Sequence, residues 1–183
     1  YVEQGVIDCA ITGLDWVIES GADVAEIADL RAPWPNYGPV RWILAVKDDS
    51  PFQTPKDLEG KRIATEVMGM TERYFADLGV TAQLEFSWGA TEVKPPVLAD
   101  AIVDVTETGA SLRANNLRVI DLLLESTPRL IAHHGSLADE WKLGKIERLK
   151  MLLMGAIAAA TRVGLSMNVP KDKMDGVLAL LPD

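Results

Sequence analysis

Residues 8–20 read DCAITGLDWVIES. An apolar run ends at Thr12, Gly13 follows, and a helical pattern opens with Asp15 and stops at Gly21. A short apolar run bounded by turn residues is the pattern of a buried parallel strand. Strand, glycine turn and helix in that order are the signature of an α/β fold. Upstream, residues 1–5 (YVEQG) read as the last turn of a helix with a glycine cap. Downstream, residues 24–30 fit either a strand or a helix, and residues 31–39 hold three prolines, as a loop or sheet edge does. Residues 40–47 (VRWILAVK) are a strong strand, and residues 48–60 a polar connection with a short helix begun at Thr54-Pro55.

The alternation continues. Residues 61–65 are a buried strand, 71–78 an amphipathic helix ended by Gly79, and 82–86 a strand. Residues 92–98, with Pro95-Pro96, read as a loop or a turn of helix. Residues 117–124 fit a strand or a helix start, and 129–132 a strand. Residues 139–161 form a long helix capped by Asp139, with Trp141, Ile146, Leu149, Leu152 and Leu153 at helical spacing. A strand over 163–169 and a helix over 171–181 follow. The expected architecture is two open α/β lobes. Residues 1–46 belong to the first lobe and 47–117 to the second; 118–161 return to the first, and 162–183 begin something else.

Composition bounds the function. At 183 residues one or two domains are expected. The formal net charge of -9 argues against a nucleic-acid binder, which carries a basic patch. A small anion is still admissible, because a loop of N–H groups holds phosphate on an acidic protein. The single cysteine, Cys9, reads as a buried structural thiol. No apolar stretch is long enough for a transmembrane helix, and the start carries no signal-peptide pattern, so a cytoplasmic location is expected. The chain opens at Tyr1 in a helix-like turn and stops after a helical pattern, which reads as cut at both ends.

The chemistry concentrates in residues 101–112, AIVDVTETGASL. Ala101, Ile102 and Val103 lead into Asp104, and then Thr106, Glu107, Thr108, Gly109, Ala110 and Ser111 form a small, hydroxylated loop before Leu112. Glycine allows a close backbone approach and φ > 0. Successive N–H groups in such a turn make an anion-binding concavity, and the Thr108 and Ser111 hydroxyls add donors. Asp104 could accept from ribose hydroxyls, as an acid does in dinucleotide folds. The same residues also read as an ordinary strand and turn. Other acids sit beside glycine turns or strand ends, where open α/β sheets bind ligands: Asp15 after Thr12-Gly13, Glu66 after Thr65, and Glu92 after Gly89-Ala90. A solvated surface carboxylate is the plain alternative for each. His133-His134 has no partners at metal-ligand spacing, and no nucleophile elbow or Walker motif is present. The tryptophans read as packing residues, although Trp88, beside Gly89, could line a pocket.

Three segments, YVEQGVIDCAITGLDWVIESGAD, GKRIATEVMGMTERYF and GATEVKPPVLADAIVDVTETGASLRANNL, together resemble the ATP phosphoribosyltransferase family. The last is similar to its phosphoribosyl-diphosphate signature. The resemblance implies two lobes like those of type II periplasmic binding proteins, with the active site in the cleft. It implies a reaction that joins ATP to phosphoribosyl diphosphate with Mg²⁺, the first step of histidine biosynthesis. The Mg²⁺ would come with the substrate, with no metal ligand from the protein. It places the 5′-phosphate on residues 107–112 and the ribose hydroxyls on Asp104. Asp15, with Thr12 and Gly13, lies in the cleft, and Thr65, Glu66 and Glu92 flank the nucleotide. Long members add a ferredoxin-like histidine-sensing domain, whose start residues 162–183 resemble, and assemble as hexamers with histidine as inhibitor. Nucleic acid and membrane are not implied partners.

The chain departs from the family pattern at Glu66-Val67-Met68-Gly69, where Ser-Tyr-Pro-Asn is frequent, so an aromatic that could face adenine is absent at Val67. The family's opening strands, with basic residues for the diphosphate, would precede Tyr1. A chain limited to these residues is therefore expected to show weak or no activity and no histidine inhibition. A non-catalytic anion-binding lobe pair and a silent partner subunit are the alternatives; the residues 106–112 loop favours the transferase over a solute binder.

Overall fold

The computed structural model describes residues 1–32 and 38–180. Its strands are β1 (Cys9–Gly13), β2 (Ala25–Asp29), β3 (Val40–Lys47), β4 (Arg62–Thr65), β5 (Gln83–Phe86), β6 (Ala101–Thr106), β7 (Leu117–Ser126) and β8 (Pro128–Ala132). Its helices are α1 (Leu14–Ser20), α2 (Met68–Asp77), α3 (Ala110–Ala114), α4 (His134–Leu137), α5 (Glu140–Ala159) and α6 (Met174–Leu178). Two sheets form, in the orders β1-β8-β2 and β5-β4-β6-β3-β7. This is a mixed-sheet α/β fold.

The larger sheet is built around β3 and β6, and period-2 alternation assigns their side chains to two cores. Trp42, Leu44 and Val46 pack on one face with Ile63, Val67, Phe75 and Val103. Ile43 and Ala45 pack on the other with Ala64, Ile102, Leu112 and Leu117. Both faces of β3 are thus covered, which is why VRWILAVK is apolar almost throughout rather than alternating.

Several expectations change. β1 forms as a strand but is only half-buried, with Ile11 exposed, and it pairs antiparallel with β8, Cys9 facing Ala132, because an apolar run specifies a strand and not the cover over it or the direction of a partner more than a hundred residues away. β2 and β7 resolve as strands. α2 starts at Met68 rather than Thr71, because the Glu19 carboxylate of α1 accepts from the Gly69 and Met70 N–H groups at 2.9 and 2.7 Å and so caps the helix from another element. Residues 163–169 form no strand: a ladder needs a partner, and among the described residues none lies beside them. Residues 171–173 make a 3₁₀ turn before α6; residue 181 and the segment 33–37 lie outside the described residues. Residues 1–6 carry the hydrogen bonds of a helix C-terminus: Gly5 N–H donates to Val2 O, Val6 N–H to Tyr1 O, and Gly5 has φ 68°.

The chain passes between the sheets twice, from β2 to β3 and from β7 through Thr127 to β8. β3 and β7 pair with each other in the larger sheet. At this junction Asp15 is buried, 5% exposed. Its Oδ2 accepts from Trp42 Nε1 at 2.7 Å and its Oδ1 from Ser126 Oγ at 2.8 Å, while its own N–H donates to Ser126 Oγ at 3.0 Å. Leu14 N–H donates to Thr127 O. The neighbouring position must be glycine, since a Cβ on Gly13 would lie 2.0 Å from Asp15 Oδ1.

Removing the indole donor should leave a buried carboxylate one partner short. Trp42→Phe is expected to lower stability by roughly 2–3 kcal/mol, a hydrogen bond to a charged group. Urea denaturation checks this; a loss below about 0.5 kcal/mol would mean that the junction does not depend on this bond.

Candidate functional site

The carboxyl ends of the parallel strands β4 and β5 and the face of β6 border one depression of about 310 Å³, lined by Glu66, Trp88, Glu92, Asp104 and Ser111 among others. A second, of about 700 Å³, lies at the junction of the sheets and includes Gly13, Asp15, Glu107, Ser126 and Thr127. Both volumes suit a small-molecule site, about 300–1,000 Å³. The loop after β6 and the first turn of α3 border both, with Ser111 on one side and Glu107 on the other.

That loop is held from within and from below. Thr106 Oγ1 accepts from Gly109 N–H at 2.9 Å, and Thr108 Oγ1 from Ala110 N–H at 3.4 Å. Gly109 has φ 70°, a conformation that costs other residues energy. Leu112 anchors the loop in the core of the larger sheet. Two arginines brace it: Arg113 Nη1 donates to Thr108 O at 3.0 Å and Arg41 Nη2 to Glu107 O at 3.4 Å. The N–H groups of Thr108, Ser111 and Leu112 have no acceptor among the described residues. A loop with free N–H groups and two guanidiniums beside it suits an anion.

Asp104 lies within β6 rather than at its end, opposite Ile43. Burial pushes its carboxyl up to about 6, the N–H of Val105 pulls it down, and the charges of Glu92 and Glu66 raise it further. Three acids from three separate segments therefore face one space. Among the described residues no group of three His, Cys, Asp or Glu side chains converges to hold a metal.

The remaining expected residues scatter. Asp15 borders the junction, but both its oxygens are engaged by Trp42 and Ser126, so it positions other groups. Thr12 lines a different depression, with Ile11, Trp16 and Ile131. Thr65 is fully buried and accepts from Val67 N–H at 3.1 Å, shaping the turn that presents Glu66. Val67 packs in the core, so its side chain does not face the depression. Trp88 does line it and is 84% exposed. Arg41, Arg113 and Ser126 were not anticipated. Arg113 follows Gly109 by four residues, one helical turn, which is a readable signal; Arg41 reaches the loop only through the β3–β6 register.

The fold places the chain in a structural class. It superposes on the substrate-binding protein of an amino acid ABC transporter with a TM-score of 0.57 at 18% identity, covering 85% of this chain and 68% of that one. It matches the periplasmic aliphatic sulphonate binding protein SsuA from Escherichia coli with a TM-score of 0.56 at 18% identity, covering 98% and 61%. These likenesses define a periplasmic-binding-protein-like α/β fold and nothing more specific.

The sequence then narrows the class. The family model for ATP phosphoribosyltransferase matches residues 1–155. Over 182 residues the chain is 58% identical to the ATP phosphoribosyltransferase of Prosthecochloris aestuarii, covering 100% of this chain and 62% of the relative. It is 55% identical over 181 residues to that of Thermodesulfovibrio yellowstonii, covering 99% and 62%. A solved ATP phosphoribosyl transferase (HisG:HisZ) complex from Thermotoga maritima superposes with a TM-score of 0.73 at 27% identity, covering 86% of this chain and 74% of that one. The chain belongs to the ATP phosphoribosyltransferase family, and it spans 62% of the length of these curated relatives. Among the described residues, no helix is long and apolar enough to cross a membrane.

The raised Asp104 value has a consequence for stability. The folded chain holds this proton more tightly than the unfolded one, so the stabilisation is complete below 3.8 and is lost as the pH rises through about 6. Asp104→Asn should therefore stabilise the chain near neutral pH by about 1 kcal/mol, a figure reduced for solvent screening, and leave it unchanged near pH 4. Thermal unfolding at the two pH values checks this; equal effects at both would show that the charge at Asp104 is not destabilising.

Proposed function

We propose that the chain is a catalytic part of an ATP phosphoribosyltransferase. The proposed reaction bonds N1 of ATP to C1 of 5-phosphoribosyl 1-diphosphate and releases diphosphate, at the start of L-histidine biosynthesis. The observation that carries this reading is the loop of Thr106, Glu107, Thr108, Gly109, Ala110, Ser111 and Leu112, with its unpaired N–H groups and flanking arginines, in a chain of this family.

In this reading the loop seats the 5′-phosphate on the Thr108, Ser111 and Leu112 N–H groups and on the Thr108 and Ser111 hydroxyls. Asp104 accepts from the ribose hydroxyls. Fixing the sugar at both ends orients C1 toward the nucleotide, and such alignment supplies much of a two-substrate reaction's acceleration. Glu66 and Glu92 border the nucleotide, and their negative field stabilises the cationic sugar as the C1–oxygen bond breaks and the electron pair leaves with diphosphate. Gly13 and Asp15 hold the junction floor, with Thr12 and Thr65 supporting their turns. Mg²⁺ would come with the diphosphate, where it would screen the leaving group. For the full-length protein the setting we infer is a cytoplasmic, homo-oligomeric enzyme inhibited by histidine, with residues 162–183 opening the regulatory domain.

Gly109→Val should weaken Mg²⁺–phosphoribosyl diphosphate binding at least tenfold, about 1.4 kcal/mol, because φ 70° excludes a branched side chain and a Cβ there already lies 3.1 Å from Arg113 Nη1. Isothermal titration checks this, with ATP and free amino acids as comparison ligands. Binding of amino acids alone would overturn the reading.

A further inference from the structure

The N-terminus of α2 lies beyond the carboxyl end of β4, where parallel α/β sheets receive anionic ligands. In this chain the protein fills that place itself. Glu19 Oε1 accepts from Gly69 N–H at 2.9 Å and Oε2 from Met70 N–H at 2.7 Å. The contact is reinforced from the other side, where Arg73 Nη2 of α2 donates to the Ile18 carbonyl of α1 at 2.6 Å. Ile18 packs its side chain on the core of the larger sheet. The carboxyl end of α1 thus meets the amino end of α2, which is favourable for both helix dipoles.

Two features make this more than an incidental cap. First, α1 follows β1 of the smaller sheet, whereas α2 joins β4 to β5 of the larger one. Glu19 is four residues from Asp15, on the same face of α1, so α1 is fastened at two points along its length: Asp15 to β3 and β7, and Glu19 to α2. One fastening is a pivot; two define an angle. Second, the close approach depends on Gly69. A Cβ there would lie 3.2 Å from the Glu19 carbonyl oxygen and 3.3 Å from Arg73 Nη1. Gly69 stands in the segment where this chain departs from the pattern frequent in the family.

The geometry points to Glu19 as a positioning residue that, with Gly69 and Arg73, sets the angle between the two sheet units and holds it without ligand. The α2 N-terminus is consequently closed to substrate phosphates, which leaves the loop before α3 to receive them. The fastening stands on its own geometry; its value for aligning two substrates rests on the proposed transferase reading.

The test is a distance measurement across the junction. Spin labels at Gln4→Cys and Glu85→Cys, both exposed positions on different sheet units, are compared in a Cys9→Ala background by pulsed electron resonance. The unsubstituted junction should give one narrow distribution without ligand. Glu19→Gln, which removes the charge, and Gly69→Val, which keeps the carboxylate but obstructs the approach, should each give a longer, broader one. Gly69→Val reports independently if the loss of Glu19 unfolds the chain. Wild-type distributions in both variants would overturn the proposal. Adding Mg²⁺–phosphoribosyl diphosphate should narrow the distributions again. A ligand without effect on any form would count against the transferase reading, while the ligand-free distances would still decide the role of Glu19.

Discussion

A carboxylate taken out of water must be met by donors or it destabilises the fold. Asp15 is met by two, the Trp42 indole and the Ser126 hydroxyl, and they come from β3 and β7, the adjacent strands that bring the chain from one sheet to the other and back. Through Asp15 the start of α1, the end of the smaller sheet's first strand and strands β3 and β7 of the larger sheet share one hydrogen-bonded point. Gly13 exists in this form because nothing larger fits beside that carboxylate. The cleft between the sheets has its floor here, and the loop before α3 rises along its border.

The site that this frame presents separates charges. The chain is acidic overall, yet Arg41 and Arg113 stand at the loop with its free N–H groups. Glu66, Glu92 and Asp104 collect on the other side, where burial first, and then the charges of Glu92 and Glu66, hold Asp104 partly against ionisation. Grouped like charges destabilise a fold, and their retention is characteristic of a site shaped for function rather than for stability. In the proposed reaction an anionic phosphate and a sugar that develops positive charge need opposite surroundings, and the two sides would offer them.

Much of this was legible residue by residue. The 106–112 loop announced itself through glycine and hydroxyls after an apolar strand, and Glu66, Glu92 and Asp104 each stood beside a turn or strand end. Their meeting in one depression was not legible, since β4, the segment after β5 and β6 are brought together only by pairing. Position 67 shows the converse. The family resemblance implied a position where an aromatic could face adenine, but after the turn made by Thr65 the Val67 side chain packs in the core. Thr12 similarly lies at a strand end and yet belongs to another depression, because neighbours along a strand face opposite ways.

The sequence by itself determined the α/β class, the position of most strands, the glycine-capped end of α1 and the loop that marks the family, because each depends on local patterning within a few residues. Only the tertiary structure decided that β1 runs antiparallel to β8, that β3 and β7 both belong to the larger sheet, that Glu19 begins α2 three residues early, and that Arg41 reaches the loop. The physical reason is common to all four. Burial and propensity are properties of a segment, whereas strand direction, helix capping from afar and charge placement are properties of pairs of segments distant in the chain.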